Sequence, residues 1–229
     1  MNVCVIPARG GSKRIHKKNI KNFLGKPIIA YSIEAALDSQ LFDKVIVSTD
    51  DEGIAAVAKD CGAETPFVRP KELSDDFTST NDVVKHTINW FLGQGIEINY
   101  VCCIYATAPF VKVAYLRRGL ELLSNSSQSF SFSVTSFPFP VQRAIKINND
   151  KISMLYPEHA LIRSQDLDET YHDAGQFYWG RSQAFLDGVD LFSKNSIPII
   201  LPRYLVQDID TLEDWKRAEL MYKTINMEN

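Results

Sequence analysis

The chain has 229 residues, 45% apolar and 23% charged, which suits one substantial α/β domain and excludes a disordered or fibrous protein. A formal net charge of −3 provides no broad basic footprint for nucleic acid, yet leaves room for a local basic pocket that holds one small polyanion. The start of the chain has no charged leader before an apolar run, and no stretch approaches about 18 apolar residues, so a cytoplasmic protein without a membrane partner is expected.

Residues 3–6 read as a short buried strand, and a Gly-rich basic loop follows from residue 7 to residue 19. Residues 28–37 carry a helical pattern. Residues 45–47 form a second strand that runs into Ser48-Thr49-Asp50-Asp51, and Asp51 can start a helix with Ile54, Val57 and Ala58 on its apolar side. The run RPKELSDDFTST, residues 69–80, is a polar loop. After it Val83, Val84, Thr87, Ile88 and Phe91 repeat at helical spacing. Residues 101–105 form a strand that Pro109 follows, and Leu116, Leu120 and Leu123 mark another helix. Residues 130–134 alternate with serine as a half-buried strand does.

This alternation implies βαβ units and a Rossmann-like, mainly parallel sheet flanked by helices. Such sheets hold ligands at the carboxyl ends of their strands, where the Gly-rich loop and the Asp50-Asp51 pair both fall. Over residues 138–185 the rhythm changes to turns and short antiparallel strands, with a turn at Asn148-Asn149. That excursion suits oligomerisation or substrate covering. Residues 197–201 and 204–206 return to strand character. A capping box of Thr211 and Asp214 then opens a helix with Trp215, Ala218 and Tyr222 on its inner face. Cys4, Cys61, Cys102 and Cys103 fit neither a zinc cluster nor a redox pair.

The strongest chemical signal is IPARGGSKRIHKKN, residues 6–19. It gathers Arg9, Lys13, Arg14, Lys17 and Lys18 around Gly10 and Gly11. Glycines let backbone N–H groups approach an anion, and the cations neutralise several phosphate charges. The bland alternative is a hairpin-like loop with a solvated basic face. Neither the P-loop pattern nor the dinucleotide fingerprint is present. Arg69 can read a nucleobase or bind phosphate, while Ser79 and Thr80 can cap the next helix. Asp208 and Asp210, two residues apart, can approach one Mg²⁺, although a helix N-cap accounts equally for one of them. Asp50 is a weaker metal candidate. His16, His86 and His159 have no supporting partner pattern.

The basic loop resembles the first signature of the cytidylyltransferases for nonulosonic acids, the CMP-sialic acid synthetase family. His16 stands at a position often held by proline in that loop. The resemblance implies that the loop embraces the triphosphate of CTP. Arg9, Gly11, Ser12, Lys13 and Asn19 would contact the nucleotide, with Arg69 and Thr80 beside it. Lys18 would stabilise charge during transfer, and Asn19 would also lie near the sugar. Arg9, Lys18, Asp208 and Asp210 form the implied catalytic set, with Mg²⁺ on the two aspartates.

The run CCIYATAPF, residues 102–110, departs from the commoner family form LLQPTSP. Tyr105 replaces the glutamine that usually contacts the sugar, and tyrosine cannot copy an amide's donor and acceptor pair. That points to a modified sugar, unless Tyr105 is a packed strand-end aromatic. The segment YHDAGQFYWG, residues 171–180, is similar to the branch acting on pseudaminic acid. With Asn19, Tyr105 and Thr107, it implies sugar contacts from His172, Asp173 and Gln176; alternatively, its aromatics form a strand core.

The implied enzyme joins CTP and pseudaminic acid into CMP-pseudaminic acid and diphosphate, feeding flagellar or other surface glycosylation. Its nucleotidyltransferase domain would comprise residues 1–137 and 186–229. Residues 138–185 would build a homodimer and cover the sugar. The rivals are activity on N-acetylneuraminic or legionaminic acid, and a non-catalytic nucleotide or sugar sensor.

Overall fold

The computed structural model describes residues 1–227. The elements run β1 (Asn2–Pro7), β2 (Asn22–Phe23), β3 (Lys26–Pro27), α1 (Ile28–Ser39), β4 (Lys44–Ser48) and α2 (Glu52–Asp60). They continue through α3 (Thr80–Gly93), β5 (Tyr100–Ile104), α4 (Val113–Ser124), β6 (Phe130–Ser136), β7 (Ile145–Asn148) and β8 (Lys151–Met154). The last are β9 (Tyr171–Arg181), α5 (Ser182–Asp187), β10 (Ser196–Ile200) and α6 (Leu212–Met227).

Unbroken apolar strands belong where both faces of a sheet are covered. In β1, Cys4 and Ile6 enter one core layer, with Ile29 and Ile33 of α1, Ile54 of α2 and Leu116 of α4. Val3 and Val5 enter the opposite layer, with Val84 and Ile88 of α3 and Phe185 of α5. Neighbouring Cys102 and Cys103 divide in the same way. Two helical layers thus enclose the sheet. No helix of the described residues is long and apolar enough to cross a membrane.

The sheet order is β10-β6-β9-β5-β1-β4. The pairs β1–β4, β1–β5 and β10–β6 are parallel, while β9 lies antiparallel between β5 and β6. Five strands therefore end at one edge, and the start of β9 lies at that same edge. This mixed, mostly parallel α/β sheet agrees with the expected fold class.

Several local expectations need correction. The serines of β6 do not face water: Ser131 and Ser133 are fully buried. Ser131 Oγ donates to Gly119 O at 2.8 Å, and Ser133 Oγ accepts from Phe177 N at 3.1 Å. Hydrogen bonding removes the penalty of placing a hydroxyl inside. Residues 203–205 form a 3-10 turn rather than a strand. The β7–β8 turn is centred one residue later than expected, with positive φ at Asn149 and Asp150, as a two-residue hairpin requires.

The segment 138–185 divides into two parts. Residues 138–170 lie outside the main sheet and contain the β7–β8 hairpin. Tyr171–Arg181 is the sheet's antiparallel inner strand.

Candidate active site

A third apolar cluster anchors the site. Ile15, from the basic loop, and Ile209, between Asp208 and Asp210, are buried with Phe23, Ile28, Trp215 and Ala218. Each isoleucine stabilises by about 1.5–3 kcal/mol through burial. Their charged neighbours remain at the surface: Arg14 and His16 on one segment, the two aspartates on the other. Two polar loops far apart in sequence are thereby held against one apolar floor.

The basic loop is tied at both ends. Gly10 N donates to Asp50 Oδ1 at 2.9 Å. A Cβ on Gly10 would lie 2.9 Å from Cβ of Asp51, so the close approach requires glycine there. Asp51 itself accepts from Ile54 N at 2.8 Å and caps α2 as expected. Gly11 has open space around its Cα. Asn19 is nearly buried, and its Nδ2 donates to Arg9 O at 3.0 Å. Lys17 is exposed and adopts a positive φ.

Between these loops lies a cavity of about 280 Å³. Arg9, Lys13, Arg14, Lys18 and Arg69 supply cations to its wall. Ser12, Asn19, Thr80, Tyr105 and Thr107 line it as well. Ser79, not Thr80, caps α3: its Oγ accepts from Asp82 N at 3.1 Å. Arg69 is only 4% exposed, and neither its Nε nor its Nη2 has a partner among the described residues. Burial pushes its guanidinium below the ordinary value, while Asp50 opposes that shift. A buried cation with two idle donors is costly unless a ligand engages it.

The other cations have internal partners. Arg9 Nη1 lies 2.7 Å from Asp76 and donates to Asp75 O at 2.6 Å. Lys13 pairs with the same Asp76, and Lys13 followed by Arg9 holds that carboxyl below its ordinary range. Sequence reasoning missed Asp75 and Asp76. The signal was their adjacency in a polar loop, but pairing across the cavity is not encoded by spacing.

Asp210 lies 2.9 Å from Arg14 Nη1 and 3.3 Å from Lys18 Nζ, which also donates to Ile209 O at 2.8 Å. Desolvation and then the Asp210 charge push the Asp208 carboxyl upward. The helix-cap alternative is answered by the next residues. Thr211 N donates to Asp214 Oδ2 at 2.8 Å, and Asp214 N donates to Thr211 Oγ1 at 3.2 Å. Asp208 and Asp210 are thus left free of the reciprocal cap.

Two adjacent carboxylates with mutual repulsion suit a hard divalent cation that takes its other ligands from water and substrate phosphate. No cluster of three or more potential metal ligands occurs among the described residues. The donor set fits a magnesium ion shared with substrate, rather than one enclosed by protein.

A second cavity, of about 320 Å³, shares Thr80 and Tyr105 with the first. Its other walls include Asn81, Asp173, Tyr178, Val189, Leu191 and Phe192. Tyr105 thus stands between the cavities, while its ring also packs 5.2 Å from that of Tyr178. Of the expected sugar contacts in β9, only Asp173 reaches this cavity. His172 places its ring 4.7 Å from Phe137, with Nδ1 2.8 Å from Asp173 O. Gln176 is 4% exposed, and its amide donates to Leu205 O. The interior position of β9 turns Gln176 into a core tie; it does not line either cavity.

The comparisons agree with this architecture. A family profile described as cytidylyltransferase matches residues 3–226. The pseudaminic acid cytidylyltransferase of Campylobacter jejuni subsp. jejuni serotype O:2 is 48% identical over 223 residues, spanning 97% of this chain and 96% of that protein. The CMP-N,N'-diacetyllegionaminic acid synthase of Legionella pneumophila subsp. pneumophila is 31% identical over 223 residues, spanning 95% and 94%.

Among solved structures, a CMP:2-keto-3-deoxy-manno-octonic acid synthetase complexed with CTP superposes with a TM-score of 0.70. It covers 97% of this chain and 98% of that one. At 16% identity that likeness is one of fold alone. With its mostly parallel sheet, its cation-walled cavity and these relatives, the chain belongs to the nonulosonate cytidylyltransferase family.

Proposed function

We propose that this protein transfers the CMP unit of CTP to pseudaminic acid, releasing diphosphate. Arg69 carries the nucleotide part of this reading: a buried guanidinium with two idle donors faces a cavity walled by four further cations. An anionic ligand with acceptor edges, such as a cytidine triphosphate, satisfies both features. The 48% identity to a pseudaminic acid cytidylyltransferase supports the sugar assignment, as does Tyr105 at the boundary of the second cavity.

In the proposed reaction the sugar's anomeric C2 hydroxyl oxygen bonds to the α-phosphorus and gives up its proton to solvent water. The bond from that phosphorus to the bridging oxygen breaks, and diphosphate departs with its electron pair. Arg9, Lys13 and Lys18 hold the triphosphate and stabilise charge as it develops. Ser12, Gly11 and Asn19 shape the phosphate side, and Arg69 and Thr80 lie on the nucleoside side. Asp208 and Asp210 would hold Mg²⁺, which supplies Lewis-acid polarisation of phosphate oxygens when bound. Asn19, Tyr105, Thr107 and Asp173 serve the sugar. Gln176 supports the site from the core, while His172 lies beside it.

We also propose a homodimer built through residues 138–170. The hairpin exposes Ile147 and Ile152, and the adjoining segment exposes Leu161. An uncovered apolar face of this kind fits a second copy.

Diphosphate release tests the reading, using CTP and Mg²⁺ with pseudaminic, N-acetylneuraminic and legionaminic acids in parallel. Selective turnover of pseudaminic acid is expected. Turnover of another sugar overturns the substrate and keeps the nucleotide chemistry. Binding without turnover overturns catalysis in favour of a sensor.

A further inference from the structure

Two of the cations assigned above to the triphosphate already hold an anion. Asp76 Oδ1 lies 2.7 Å from Arg9 Nη1, and its Oδ2 accepts from Lys13 Nζ. One carboxylate thus bridges both cations, as two oxygens of one phosphate would, from within the wall of the first cavity. Lys13 and then Arg9 hold that carboxyl below its ordinary range, so it stays charged at neutral pH.

Asp76 sits on a turn with its own internal bonding. Asp75 Oδ1 accepts from Phe77 N at 3.0 Å, from Thr78 N at 2.7 Å and from Thr78 Oγ1 at 2.7 Å. Before the turn, Ser74 Oγ donates to Pro70 O at 2.9 Å; after it, Ser79 caps α3. Among the described residues, three polar contacts join the turn to the basic loop. They are the two ion pairs of Asp76, and Arg9 Nη1 donating to Asp75 O. Phe77 is 92% exposed and gives the tip no apolar anchor. Solvent-exposed ion pairs contribute little to stability, so these exchange readily for a ligand of higher charge.

A triphosphate and a carboxylate cannot share Arg9 and Lys13 without repelling one another. We propose that Asp76 is an internal stand-in for phosphate, which keeps the 74–78 turn closed on the basic loop and is displaced when the triphosphate binds. This inference rests on the proposed use of CTP and adds a competing step to it. A site that is open in only a fraction of molecules loses apparent affinity by that fraction. Asp76 therefore weakens the hold on CTP and on the departing diphosphate alike. Asp210 also pairs with two cations, but it stands with Asp208 as a metal-holding pair. The carboxylate next to Asp76 is instead committed to its own turn, which separates the two roles.

The test titrates CTP and inorganic diphosphate into wild-type and Asp76→Asn protein by calorimetry at one fixed Mg²⁺ concentration. Removing the charge should tighten both ligands by about 3- to 10-fold, as expected if the seat is free in about a third to a tenth of wild-type molecules. Inhibition of turnover by diphosphate should strengthen by the same factor, with the sugar KM unchanged. Asp76→Ala, which also removes the hydrogen bonds, should act at least as strongly. Phe77→Trp places a fluorophore on the exposed tip. Its emission should change as CTP saturates, and less so in an Asp76→Asn background, where the turn is already released.

Unchanged or weaker CTP affinity in both Asp76 variants overturns the stand-in. So does a raised Mg²⁺ requirement in Asp76→Asn, which would make Asp76 a metal ligand, or a tryptophan whose emission ignores CTP. A wild-type protein that binds neither CTP nor diphosphate overturns the proposed function and this inference together. An active wild type whose Asp76 variants gain no affinity overturns the inference alone.

Discussion

The two cavities meet at Thr80 and Tyr105 but are made of different material. In the first, five cationic side chains face one another, and four of them share two carboxylates, Arg9 and Lys13 on Asp76 and Arg14 and Lys18 on Asp210. In the second, aromatic and aliphatic walls surround Asp173 and the Tyr178 hydroxyl. Charge that is mobile and exchangeable suits a polyphosphate arriving with its metal. Fixed hydrogen bonding in an apolar wall suits discrimination between sugars of equal charge. The comparison therefore predicts that perturbing the first cavity changes nucleotide use, while perturbing the second changes sugar choice.

The sharpest way to break that division is Lys18→Ala. Lys18 reaches Asp210 and Ile209 O from the wall of the first cavity. Its loss should reduce kcat by about 10²–10³ with little change in sugar KM, measured by steady-state diphosphate release. A loss confined to sugar KM would contradict the assignment.

Next in size, Ile15→Ala should destabilise the protein by about 2–4 kcal/mol through a cavity in the third apolar cluster, read by denaturant unfolding. Because Ile15 and Ile209 share that floor, the CTP KM should rise as well.

Arg69→Lys should raise the CTP KM about 10-fold, since lysine cannot present the same fork of donors. Calorimetry should locate the loss in nucleotide binding. An unchanged affinity would mean that the idle guanidinium serves only packing.

The smallest effect concerns pH. Asp208 has its carboxyl pushed up by burial and by Asp210. The metal-holding form is the carboxylate, so more Mg²⁺ should be needed as pH falls through that raised range. A raised folded-state value also means that ionisation opposes folding: its stabilising share exists below the unfolded value and is lost as pH rises. Asp208→Asn should therefore slightly raise the metal-free Tm at neutral pH, with the gain vanishing in acid, while removing activity. An unchanged thermal scan across this range would sink the repulsion argument.

Much of the first cavity was legible because its information is local. Arg9, Ser12, Lys13, Lys18 and Asn19 lie within one short loop, and the expected strand before it is β1. Arg69 was identifiable as a candidate, but its burial and idle donors were not. The Asp76 pairing spans more than sixty positions, as the 63-residue separation from Lys13 shows, and leaves no periodic trace.

The second cavity was less legible. Gln176 looked suited to a sugar because glutamine beside aromatics suggests a polar reader on an apolar face. An inner strand covered on both sides instead placed it in the core. Tyr178 looked like a core aromatic and proved to be both buried and directed at the cavity. The serine alternation in β6 misled for the same reason: period two signals a wet face only when one face is wet.

The placement of β9 also governs the order in which the molecule can be completed. Its partners begin at Tyr100 in β5 and Phe130 in β6, yet β9 itself is reached only at Tyr171. A nascent chain without β9 can assemble β5, β1 and β4, but Tyr100–Ile104 then presents an unpaired edge. Such edges invite association with other chains, and long-range pairing is slow to form. Synthesis therefore passes through an interval in which a hydrophobic edge awaits its partner. The strand that ends the interval is the one that carries Asp173 and Tyr178, so closing the sheet and building the wall of the second cavity are one folding event.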